Sequence, residues 1–134
     1  MSVVEVVLLA PLVIGFIMIL VVFGVLVNER GNVQGAARDA ARMGSLQRDD
    51  ATANAQAQAA AAADLGNSCA GGPVVTQVNP TNTSLPPGDF TAGGLYTIEV
   101  TCVIPLSGLD WFSLGSQTIT AYSTAPLDTF RRTG

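Results

Sequence analysis

The chain has 134 residues, a net charge of −4, two cysteines and no histidine. That length holds one small domain with an attached segment, and its scattered acidity excludes nucleic acid or an anionic lipid surface as main partner, since both call for a basic stripe. Without His the commonest general base and the commonest metal ligand are missing together.

The first element is the run over residues 6–27, VVLLAPLVIGFIMILVVFGVLV, which carries no charge and follows a single acid, Glu5. As a helix it would rise roughly 33 Å at 1.5 Å per residue, enough to cross the ~30 Å hydrocarbon core of a bilayer. No Lys or Arg precedes Glu5, and no small-residue cleavage site follows the run, so it does not read as a removable signal peptide. The missing basic region leads to the expectation that a basic leader has been cut from the mature chain. Arg30, Arg38 and Arg42 lie just after the run, and taken alone they would place the C-terminal side in the cytoplasm. Two cysteines in the distal segment argue for an exported, oxidising location, and the lost leader reconciles the two.

Pro11 lacks the N–H that would reach the carbonyl of Val7, so a kink or local loosening is expected there. Gly15 and Gly24 add points where another backbone can approach. An ordinary kinked transmembrane helix accounts for these residues equally well.

Residues 28–63 keep a helical pattern. Gly31 and Gly35 lead into Ala36, Ala37, Ala40, Ala41 and Gly44, a strip of small residues at helical spacing of the kind that lets helix backbones come close. Arg38 and Arg42 share a face, and Asp39 is placed to pair with Arg42. In the Ala-rich stretch 51–64, Ala51, Ala55, Ala59 and Ala63 form a ridge suited to tight helix contact. Asp49 and Asp50 read as a solvated polar surface rather than a metal site. Gly66 is the expected C-cap, which predicts one continuous helix from Val3 to Leu65, some 90 Å long.

Beyond it, residues 74–79, 96–104 and 117–123 have the β-branched and aromatic content of strands. Pro80, Pro86, Pro87, Gly93 and Gly94 punctuate the connections, and Pro105 ends the second strand. The expected fold class is therefore α+β. One long N-terminal helix, hydrophobic in its first half, precedes a small antiparallel β-domain of three or four strands resting on the distal helix. Three regions follow: a transmembrane or filament-core helix over 1–27, its amphipathic Ala-rich continuation over 28–66, and a β-rich extracellular domain over 67–134. Cys69 and Cys102 are expected to form a disulfide that staples this last region, with a pair of buried thiols as the alternative. Trp111 and Phe112 are assigned to covering one end of the sheet, with a binding patch as the other reading. Asn82, Thr83 and Ser84 fit the glycosylation sequon, and Arg131 and Arg132 fall in a loosely held tail.

No catalytic, cofactor or metal constellation emerges, so the chain reads as no enzyme and as needing no cofactor. Glu5 carries the functional weight. Either it stays at the interface near the chain end, or it is buried and paired with the α-amino group of Met1, on its own chain or a neighbouring copy, which would set an axial offset between subunits.

A short N-terminus with Glu at the fifth place and an apolar helix with an early proline resembles the mature N-terminus of type IV pilins. Together with GAARDAARMGS after it, the segment VEVVLLAPL is similar to the TadE-like family of tight-adherence (Tad) pilus systems, in which Val-Glu-Phe-x-Leu-x-x-Pro precedes Ala-Ala-Arg-x-Ala-Ala-Arg. Val6 stands where that family usually has Phe. The resemblance implies removal of a leader by a prepilin peptidase and residence in the cytoplasmic membrane as a single-pass protein before assembly. It then implies entry into an extracellular filament with copies of itself or other pilins. Met1, Glu5 and Pro11 would serve assembly, and Gly15, Gly24, Gly31, Gly35, Ala36 and Ala40 would serve helix packing. The alternatives are a minor pilin or assembly factor that stays in the membrane and a tethered adhesin-type module.

Overall fold

A computed structural model describes residues 2–78, 90–106 and 114–130. Its first element, α1 (Val3–Ser45), passes through Pro11 without interruption. Ser2 stands at its N-cap position in an extended conformation, with its carbonyl, not its side chain, accepting the Glu5 N–H (3.0 Å). At 1.5 Å per residue, α1 is roughly 64 Å long.

The continuous helix expected to reach Leu65 breaks at residues 46–49, and a second helix, α2 (Asp50–Leu65), begins. Local chemistry explains the break. The Ser45 hydroxyl donates to the Arg42 carbonyl (2.8 Å) and the Gln47 N–H to the Gly44 carbonyl (3.0 Å), which satisfies the last turn of α1. Asp49 then caps α2, its carboxylate accepting the Thr52 N–H (3.0 Å) and the Thr52 hydroxyl (2.7 Å). Gly66 ends α2 as expected, at φ +52°, with its N–H on the Ala62 carbonyl.

α2 folds back along α1, so that Asp64 comes to lie beside residues 31–39. Small side chains fill the core that the helices share with the sheet: Ala36, Ala37, Ala40, Ala41 and Gly44 are buried in α1, and Ala53, Ala57, Ala61 and Leu65 in α2. The ridge expected at Ala51, Ala55, Ala59 and Ala63 faces solvent instead. Alanine appears at both sets of positions, but only the buried row ends on a large apolar residue, Leu65.

Three strands, β1 (Val74–Gln77), β2 (Leu95–Pro105) and β3 (Ser116–Pro126), form an antiparallel sheet in the order β1-β2-β3. Strict alternation sends Tyr96, Ile98, Val100, Cys102 and Ile104 of the central strand inward. The sheet rests on both helices, with β2 and β3 over the second half of α1 and β1 over α2, rather than on the distal helix alone. A Cys69–Cys102 disulfide, Cα atoms 5.1 Å apart, joins the exit of α2 to the central strand. Beside it the Ala70 N–H donates to the Val103 carbonyl (2.7 Å).

Two polar side chains within the Ala-rich helix fasten it to the sheet. Gln58 donates to the Pro73 carbonyl (2.6 Å) and accepts the Val75 N–H (3.0 Å). One turn earlier, Asn54 accepts the Tyr96 hydroxyl (2.9 Å) and donates to Gln77 (3.3 Å). Phe90 packs edge-on against the Tyr96 ring, centroids 5.5 Å apart. Burial, with the Asp50 charge second, pushes the Tyr96 phenol far above its ordinary range.

Candidate functional site: the projecting apolar helix

The core engages α1 only from Val33 onward, apart from partial packing by Leu26. Over residues 3–27 the helix projects from the fold or skirts the end of the sheet, where Val22 and Leu26 are half-buried. Seventeen Val, Leu, Ile and Phe side chains in this stretch are at least 39% exposed. Its most apolar 18-residue window has a mean hydropathy of 3.2 and is unburied. Fully covering one such side chain contributes about 1.5–3 kcal/mol, so leaving the set in water would cost tens of kcal/mol. A helix apolar on all sides needs lipid or other protein around its whole circumference. By length and composition it can cross a membrane.

The projection continues a helix whose other half is bolted to α2 and the sheet. No turn separates the two, so the apolar segment continues the helix axis that the head packs against.

Glu5 lies in the first turn of α1, three residues after the capping Ser2, and is exposed. A carboxylate there opposes the positive end of the helix dipole, typically worth about 0.3–1 kcal/mol. Glu5 therefore has a local role at the helix start in addition to any pairing across subunits. Met1, its expected amine partner, lies outside the described residues, as do the sequon at residues 82–84, Trp111, Phe112 and the tail arginines.

The small residues divide into two groups. Around Gly15, Gly24, Gly31 and Gly35, no heavy atom of the described residues beyond the helix's own adjacent backbone lies within 4 Å of where a Cβ would stand, so each is a notch open to an approaching chain. Ala36 and Ala40, 1% and 0% exposed, are used inside the molecule against α2 and the sheet. Asp39 faces Asp64 across the helix pair instead of making the expected pair with Arg42. Burial and then the neighbouring Asp39 carboxyl hold Asp64 above the usual carboxylate range.

Residues 1–42 match the family of TadE-like proteins. The match takes in Glu5, Pro11 and the arginines at 30, 38 and 42, and it stops before the helix break and the sheet. It agrees with the resemblance carried by the N-terminal motifs. No curated protein matches the chain, and no solved structure does.

Asn54, Gln58 and Tyr96, which fix the orientation of the sheet on the helix pair, are not distinguished by sequence reasoning. A signal was present in the i, i+4 spacing of Asn54 and Gln58, beside the buried alanine row.

Proposed function

We propose that this chain is a structural, pilin-like subunit of a Tad-type pilus. Before assembly its apolar helix lies in the cytoplasmic membrane with the head outside. On assembly the helix exchanges lipid for the helices of neighbouring subunits, either copies of this chain or other pilins. That exchange loses little, because acyl chains and apolar side chains are equivalent surroundings.

The observation that carries the reading is the projection of an unburied, all-round apolar helix, rigidly continuous with the helix that organises the head. The TadE-like match over the same segment supports it. The notches at Gly15, Gly24, Gly31 and Gly35 support close helix contact between subunits. The Ala36–Ala41 strip is committed within the fold and contributes to assembly only by holding the head.

A second reading, an assembly factor that never leaves the membrane, is favoured by the position of Glu5, which neutralises its own helix start without a neighbour. Fractionation of cells producing the full chain separates the two. Recovery in sheared surface appendages, seen as filaments by electron microscopy, supports the subunit; confinement to the membrane fraction supports the assembly factor.

A further inference from the structure

Where α1 leaves the head, a groove runs between the helix and the end of the sheet that faces the projecting segment. Its lower part, about 280 Å³, is walled by Ile19, Val22, Phe23, Leu26 and Leu114 and is almost wholly apolar. Its upper part, about 440 Å³, shares Phe23 and Leu26 and then turns polar at Arg30, Gln117 and Thr118. The groove thus passes from hydrocarbon surface to a guanidinium with hydroxyl and amide groups beside it. Arg30 makes no ion pair among the described residues.

We propose that this groove seats one phospholipid of the outer leaflet, with an acyl chain along Phe23, Leu26 and Leu114 and its phosphate at Arg30. The proposal rests on the membrane stage of the reading above. Helix geometry supports the depth. With Glu5 at the inner boundary, a ~30 Å hydrocarbon core ends about twenty residues later, near Val25. Phe23 and Leu26 then straddle the edge of the hydrocarbon. Arg30 stands about 7 Å beyond it, at the level of the headgroups. Polarity separates this occupant from a neighbouring apolar helix, which would leave the guanidinium unanswered. Arg30 also gains a use on the outer side that its charge bias does not otherwise explain.

The test uses the full chain, extracted in mild detergent from vesicles of phosphatidylethanolamine and phosphatidylglycerol and examined by native mass spectrometry. The expected result is one retained phospholipid per chain. Arg30→Gln and Leu114→Ser, both at exposed positions outside the core, should each reduce retention, Arg30→Gln by about tenfold, as for loss of a charge-assisted hydrogen bond. Arg38→Gln, on the same helix beyond the groove, should retain lipid normally. A chain that resists alkaline extraction from the vesicles yet carries no lipid overturns the groove proposal and leaves the anchor reading standing. Equal loss in the Arg30 and Arg38 variants overturns it too, as does ready disulfide formation between Thr118→Cys of one copy and Ile19→Cys of another. Failure of the wild-type chain to integrate overturns the anchor and the groove together.

Discussion

The Tyr96 ring fills the space that a side chain at Gly44 would need: a Cβ built on Gly44 would stand 2.8 Å from Tyr96 Cζ. This close approach lets the central strand settle on the last turn of α1, immediately before the helix break.

Gly44→Ala is therefore expected to destabilise the head despite improving helix propensity. Alanine in place of glycine gains about 1 kcal/mol in a helix interior. Overpacking against a buried aromatic ring costs typically about 1–3 kcal/mol. Tyr96 is fully buried and tied to Asn54, so it has no easy retreat. The net effect should be a loss of up to about 2 kcal/mol, read as a lower thermal midpoint of the detergent-solubilised chain. The double variant Gly44→Ala with Tyr96→Leu should recover part of it.

The raised phenol of Tyr96 gives a pH dependence with a definite sign. In the unfolded chain the phenol ionises near pH 10, whereas in the fold burial and the Asp50 charge hold it protonated to higher pH. The folded state then binds more protons, so this contribution is intact below pH 10 and is lost as pH rises above it. Unfolding midpoints measured from pH 8 to 11 should fall at the alkaline end, and Tyr96→Phe should flatten the fall. The Phe variant should also be less stable by about 1 kcal/mol at neutral pH, since Asn54 loses its donor.

Cys102→Ser should lower the amount of protein recovered. Cys102 is fully buried under the sheet, and the bridge closes a separation of 33 residues. The chain-entropy estimate for such a loop is about 4 kcal/mol, a large share of the stability of so small a head. Immunoblots of whole cells producing the chain, after non-reducing electrophoresis, should show little surviving protein. Wild-type abundance would mean that the helix pair and sheet hold without the bridge.

The elements that were legible in the sequence have chemistry of their own: the uncharged run, the Gly66 cap, three β-rich segments and the only two cysteines. The helix break is obscured because Asp49 and Asp50 read as solvated charge, although an Asp three residues before Thr52 and ahead of an alanine run is a cap signal. Alanines at successive i, i+4 rows are indistinguishable in sequence until tertiary contacts select one, so the buried row is not legible from composition alone. Leu65 at the end of the 53/57/61 row held that information. The intramolecular use of Ala36 and Ala40 was hidden for a related reason, since small-residue strips look alike whether the second helix belongs to the same chain or another. At the acidic tip, sequence drew attention to Glu5, while its position three residues after the capping Ser2 emerged only with the helix boundary.

Glu5 sits at a place where two physical roles coincide, and moving the carboxylate separates them. In the double variant Val4→Glu with Glu5→Val, one acid remains in the first turn, so the favourable interaction with the helix dipole is retained. The acid is displaced by about 100° around the helix and 1.5 Å along it, which would break a paired contact to an amine on an adjacent subunit. If Glu5 sets the axial offset between subunits, this variant should accumulate in the membrane at normal levels, as should Glu5→Ala, while neither yields normal filaments. Filament counts by electron microscopy, normalised to membrane-inserted protein, provide the measurement. Normal filaments from the shifted variant together with loss in Glu5→Ala would assign Glu5 to the helix terminus alone. Normal filaments from both would remove the carboxylate from assembly altogether.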